Sequence, residues 1–159
     1  MGLWRKRRCG GPAMDLETRV KLNIYTTIAE TTRPPTSAEV ARALGESRAE
    51  VEGAFRSLAR KRLLVLDDAN ARIRMAPPFS GVATGFQVTL DGRTYFANCV
   101  WDALGVAAAL HRDADIKTTC GDCGEPMRLR VRDAAPVPQA CVIHFAVPAA
   151  LWWEDVVYT

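Results

Sequence analysis

The sequence predicts an α+β fold, an N-terminal winged helix-turn-helix-like helical domain followed by a small mixed or antiparallel β-sheet domain with one main helix. Three observations carry that expectation. Apolar residues recur at helical spacing through residues 15–62, as in Val20, Ile24 and Ile28 and again in Val51, Phe55 and Leu58. From "TGFQVTL" onward the pattern changes to the period-two alternation of strands. One apolar run, "VWDALGVAAALH", then interrupts the strands with a single long helix. With 48% hydrophobic and 25% charged residues over 159 positions, the chain has the composition of an ordinary folded protein rather than of a disordered one.

Residues 1–14 read as a flexible basic leader. Arg5, Lys6, Arg7 and Arg8 stand together before a Gly-Gly-Pro break and supply much of the net charge of +3, so the remainder is nearly neutral. A broad nucleic-acid surface is therefore not required by the charge balance. The leader lacks the apolar stretch of a signal peptide, and no run approaches the roughly 18 apolar residues of a membrane span. Five cysteines, at 9, 99, 120, 123 and 141, make an odd count without an export signal, which points to reduced thiols in a cytoplasm.

Residues 15–76 give the winged-helix-like part. After the first helix, "RPPTSAEV" breaks the periodicity and restarts it; Thr36 with Glu39, and Ser47 with Glu50, are capping-box pairs. "AEVARALG" is a short helix closed by Gly45, and the next helix turns Val51, Phe55, Leu58 and Ala59 inward. "LLVLDDANARIRM" then reads as a hairpin, or wing. DNA contact would fall to Arg48, Arg56, Arg60, Lys61 and Arg62, but Glu50 and Glu52 sit where bases would be read and repel phosphate, so DNA is not the favoured partner. "MAPPFSG" is the expected linker. Beyond it come a hairpin of "TGFQVTL" and "RTYFA" about Asp91-Gly92, the helix, the strands "DIKTT" and "MRLRVR" on either side of "CGDCGEP", a Pro-rich connection, a strand "ACVIHFAVP", and a short helix or turn in "ALWWEDVVYT" that enters a further strand. Trp152 and Trp153 read as half-buried aromatics closing the domain, with no catalytic role.

Cys99 and Asp102 raise the question of chemistry. Cys99 ends a strand and opens a helix, where unpaired backbone N–H groups and the helix dipole favour thiolate. Asp102, three residues on, lies one turn along the same face. The bland alternative is a buried core cysteine and a carboxylate that suits a first turn. "CGDCG" has the form of half a zinc knuckle; a closed site needs four ligands, for which Cys99, Cys141 and His144 are the remaining candidates. His111 and His144 have no partner that marks a base, and phosphate-cradling loops, Ser/His/Asp triads and paired glycosidase carboxylates are absent.

Taken together, the hairpin "FQVTLDGRTYFANC", the helix opening "CVWDAL" and the segment "IKTTCGDCGEPMRLRV" resemble the alkylmercury (organomercurial) lyase family, which also carries a winged-helix-like domain ahead of its catalytic half. The resemblance is specific from Phe86 to Val131 and architectural before that. It implies protonolytic cleavage of a carbon–mercury bond without a cofactor, by a catalytic domain over residues 80–159. Cys99 would be the thiolate that binds mercury and Asp102 the proton shuttle, in keeping with the preference of soft metals for thiolates. Cys120 matches a buried family cysteine with a structural role, while Cys123 has no counterpart and is left as an accessory thiol or half of a zinc site. Small thiols or a mercury-accepting protein would take the product. The family's second mercury-binding cysteine follows the segment written here "WEDVVYT", so the resemblance implies a chain cut just before it, a member without full activity, or substitution by Cys123 or Cys141. The competing reading is a winged-helix, metal- or thiol-responsive transcriptional regulator with the cysteines as sensor ligands; a zinc-stabilised structural domain is a third.

Overall fold

The computed structural model describes residues 14–67, 71–145 and 147–156. The basic leader with Cys9, the tip of the expected wing at 68–70 and the strand expected at the very end, from 157, lie outside the described residues. Helix α1, Leu16–Thr31, starts where Asp15 accepts a hydrogen bond from the Thr18 N–H at 3.0 Å, and buries Val20, Ile24 and Ile28. Helices α2 (Ser37–Leu44) and α3 (Arg48–Arg60) each begin with a complete capping box, Thr36 with Glu39 and Ser47 with Glu50. Gly45 closes α2 at φ +71°, a conformation that favours glycine. On α3 the inward set is Val51, Ala54, Phe55 and Leu58; Ala54 rather than Ala59 fills the fourth position, because it lies one turn before Leu58 on the same stripe. At full burial each of these aliphatic or aromatic side chains contributes on the order of 1.5–3 kcal/mol.

The strands are β1 (Val65–Asp67), β2 (Arg72–Ala76), β3 (Phe79–Ser80), β4 (Phe86–Leu90), β5 (Arg93–Ala97), β6 (Ala114–Thr119), β7 (Pro126–Arg132) and β8 (Ala135–Pro136). They form one sheet in the order β1-β2-β3-β5-β4-β6-β7-β8, and every neighbouring pair is antiparallel. The expected linker is thus part of the sheet: Met75 and Ala76 pair with Ser80 and Phe79 across a Pro77–Pro78 turn, and Ser80 pairs with Phe96. Apolar residues on both sides of the two prolines give that turn a ladder to join. Gly81 is required where it stands, since a Cβ there would lie 2.4 Å from the Ile73 carbonyl oxygen.

The β4–β5 hairpin turns at Asp91-Gly92 with positive φ at both, as read from the sequence. Helix α4, Val100–Leu110, packs Ala103, Val106 and Ala107 onto the sheet beside Val88, Tyr95 and Ile116. Gly105 permits close approach, for a Cβ there would meet the Pro78 Cβ at 3.0 Å. The helical part docks through α1: the Tyr95 hydroxyl donates to the Ala29 carbonyl at 2.7 Å and the Tyr25 hydroxyl to the Pro77 carbonyl at 2.9 Å.

One expected strand is absent. Residues 141–145 of "ACVIHFAVP" form no strand, although the sequence is β-prone. The edge of the sheet beyond β7 is taken by β8, with Val131 opposite Pro136, and 141–145 are left without a ladder; Val142 is 91% exposed. A single 3₁₀ turn at Ala149–Leu151 then brings Trp152 and Trp153 back toward α4.

A thiol and a carboxyl at the start of α4

Cys99 is the N-cap of α4. Its backbone is extended, with φ −144° and ψ 179°, and its sulfur accepts the Asp102 N–H at 3.4 Å, where a serine or threonine oxygen usually sits. The sequence dictates the position: β5 must stop where Asn98 turns out of the ladder, and the apolar run that follows winds onto the sheet. The Asp102 carboxyl stands in the same first turn, near enough for thiol and carboxyl to act on each other's ionisation.

Their electrostatics differ from the expectation that the helix start makes a ready thiolate. Burial pushes the Cys99 thiol up from its ordinary range, the Asp102 N–H opposes this only in part, and the negative Asp102 adds to the rise. Burial also pushes the Asp102 carboxyl up, against the hydrogen bond to Cys99. Partial enclosure outweighs the dipole because desolvation penalises both anions at once. The pair rests protonated more readily than either group would in water.

A cavity of about 200 Å³ opens onto them, lined by Met75, Pro77, Asn98, Trp101, Phe145, Trp152, Trp153 and Val156 as well as Cys99 and Asp102. At several times the roughly 30 Å³ share of a liquid water, it has room for a small organic group. The aromatic wall is braced: Phe145 lies 4.9 Å from Trp152 and 6.3 Å from Trp101 between ring centroids, the Trp152 indole N–H donates to the Val147 carbonyl at 2.8 Å, and the Asn98 side-chain amide donates to the Val156 carbonyl at 3.1 Å. The Arg62 guanidinium sits 5.8 Å over the Trp153 ring. Reading the sequence missed this wall, and Trp152 and Trp153 do more than close a domain. The adjacent tryptophans were the available signal; that they return some fifty residues later to Cys99 is not written in any local pattern. A larger trough, about 810 Å³, runs along α4 past Leu104, Ala108 and Val131 but holds no thiol.

The other sulfurs lie elsewhere. Cys120 and Cys123 occupy the β6–β7 turn, half-buried and exposed respectively, and Cys141 and His144 are exposed. Backbone N–H groups of Cys123 and Asp122 hold the Cys120 thiol below its ordinary range. None of the four lines the Cys99 cavity. Among the described residues no three His, Cys, Asp or Glu side chains cluster to hold a metal ion, so Cys120 and Cys123 do not gain from Cys99, Cys141 or His144 the further ligands a zinc site needs. On α3, the Glu50 carboxylate accepts from the Ser47 N–H at 3.1 Å, and Glu52 pairs with Arg48 at 2.7 Å and accepts from Ser37. No helix among the described residues is long and apolar enough to cross a membrane.

A family model described as alkylmercury lyase matches residues 79–159. Among solved structures, the mercury-bound form of MerB2 is similar, with a TM-score of 0.64 and 26% identity over 80% of this chain and 62% of that one. The chain thus spans less than two thirds of that structure's length. No curated protein matches it.

Proposed function

The chain belongs to the alkylmercury lyase family, and from that membership we propose that it cleaves the carbon–mercury bond of organomercury compounds by protonolysis, with Cys99 as the mercury ligand and Asp102 as the proton shuttle. The observation that carries this reading is that a thiol and a carboxyl three residues apart line one aromatic-walled cavity. An organomercury cation exchanges its small-thiol ligand for Cys99. The Cys99 proton passes through Asp102 or onto the departing thiolate, and a sulfur–mercury bond replaces it. Protonated Asp102, whose burial favours the neutral acid, then delivers its proton to the carbon as the carbon–mercury bond breaks. Hydrocarbon leaves and mercuric ion stays on sulfur.

Cys99 is the one thiol lining the cavity among the described residues, so the second sulfur that makes mercury's bond to carbon weak comes from outside that lining; excess small thiol supplies it in solution. We place the protein in the cytoplasm, where such thiols are abundant and its own cysteines stay reduced. The three helices and the β1–β2 hairpin act as a winged-helix-like scaffold that braces the site through Tyr25 and Arg62. The regulator reading draws no support from the comparisons, and the paired carboxylates at the start of α3 disfavour DNA. The test is hydrocarbon release from an alkyl- or arylmercury salt in excess small thiol. Release that disappears in Cys99→Ser supports the reading, and release unaffected by that substitution overturns it.

A further inference from the structure

The turn between β6 and β7 carries two sulfurs that this mechanism leaves unused. It is closed by backbone bonds, Cys120 N–H to the Glu125 carbonyl at 2.8 Å and Gly124 N–H to the Cys120 carbonyl at 3.0 Å, with Gly124 at φ +74°. The turn brings Cys123 near enough to Cys120 for its backbone and thiol, with the Asp122 backbone, to hold the Cys120 thiol low. Two thiols thus share one hairpin turn, one half-buried and one exposed to arriving ligand. No third ligand joins them among the described residues, which fails zinc's need for four. A soft ion content with two sulfurs has what it requires.

Their place in the sheet adds to this. Both β5 and β6 pair antiparallel with β4, so they run in the same direction, and the registers Phe86–Ala97 and Gln87–Lys117 bring both to an end at the same edge. Cys99 follows β5 and Cys120 follows β6, with β4 between their strands, a lateral separation of roughly 10 Å at the usual strand spacing.

We propose that Cys120 and Cys123 form a second soft-metal site, which takes inorganic mercuric ion through its two sulfurs and holds it apart from Cys99. That the ion it takes is the product of carbon–mercury cleavage rests on the lyase reading above; the capacity to bind does not. The exchange is balanced without any redox partner. Mercuric ion arrives bound to two small-thiol thiolates, two protein sulfur–mercury bonds form, and the two small ligands leave as thiols carrying the protons of Cys120 and Cys123. The second protein bond is intramolecular, so the pair outcompetes independent monothiols.

The experiment uses the full chain with Cys9→Ser, Cys99→Ser and Cys141→Ser, leaving this pair alone. Mercuric chloride is presented in excess glutathione, the protein is separated by gel filtration, and retained mercury is measured by elemental mass spectrometry, with circular dichroism confirming the fold. The expected result is one mercury per chain, falling about 10²-fold or more when Cys120→Ser or Cys123→Ser is added, the scale of a lost chelate. Absence of retained mercury on the folded pair protein, or equal retention by the single-thiol variants, overturns the proposal. Hydrocarbon release plays no part in this readout, so a failure of the lyase reading leaves it unmoved, and a failure here leaves release unmoved.

Discussion

Three helices of this protein open with the same local device and put it to different ends. In α2 and α3 a hydroxyl caps the helix and a glutamate three residues on reaches back, with Thr36 N–H to Glu39 at 2.7 Å and Ser47 N–H to Glu50 at 3.1 Å. In α4 the cap is a thiol, and the residue three on is an aspartate, one methylene shorter, whose backbone N–H donates to the sulfur. The surroundings then divide them. Glu39 is open to solvent, and Arg33 together with the Thr36 N–H pulls its carboxyl down to about 2. Asp102 is enclosed, and burial pushes it up. A capping geometry that is wet and ion-paired in α2 is half-buried in α4 with sulfur in place of the hydroxyl, the setting in which we propose proton transfer.

The largest effect expected from breaking this contrast is at Cys99. Cys99→Ser converts the third cap into the form of the other two; it should abolish organomercury capture at the α4 cavity and hydrocarbon release while thermal stability holds or rises by about 0.5–1 kcal/mol, because serine is the better N-cap. Loss of stability together with activity would mean that the thiol is packing rather than chemistry. Next in size is the aromatic wall. Trp152→Ala removes the ring stacked on Phe145, and should raise KM for an arylmercury substrate about tenfold while changing KM for methylmercury little, on the scale of one lost aromatic contact. Equal effects on both substrates would mean that Trp152 shapes the fold rather than the pocket.

The rate of capture should depend on pH in the direction set by Cys99. Its raised thiol pKa means that capture by thiolate keeps climbing with pH past the ordinary thiol range, and a plateau below that range would contradict the assignment. Stability should respond with opposite signs in the two regions. The Glu39 contribution is present above the unfolded value of 4.5 and is lost as pH falls toward about 2, whereas Asp102, raised in the folded state, favours folding below its unfolded value of 3.8 and loses that contribution as pH rises through its folded pKa. Thermal melts from pH 2 to 7 on Glu39→Gln and Asp102→Asn separate the two: the first should flatten the limb below 4.5, and the second should remove a loss of stability that begins as pH rises above 3.8. The smallest effect is at Thr36→Ala, about 1 kcal/mol of stability with hydrocarbon release unchanged.

Much of this was legible in the residues themselves. Helix starts declare themselves locally, in a hydroxyl or thiol followed three positions on by a carboxyl, so α2, α3 and α4 were found with their caps; Asp91-Gly92 marked its hairpin for the same reason. What depended on distant partners was not. Residues 141–145 form no strand where β8 occupies the edge, and the half-buried Cys99 opens into a cavity that Phe145, Trp152 and Trp153 help to line from the end of the described chain. The segment about Pro77 and Pro78, expected as a linker, belongs with these: Ser80 just after it pairs with Phe96, beyond an intervening strand.

The central claim is that one residue captures mercury and its neighbour, three positions on, delivers the proton. Asp102→Asn with methylmercury tests it most directly, following the protein adduct by mass spectrometry and methane in the headspace over a single turnover. The methylmercury adduct on Cys99 should form as in the unmodified protein and persist, with methane release slowed about 10²-fold or more, the usual scale of a lost general acid. Methane released at the unmodified rate, or an adduct that fails to form, would contradict it.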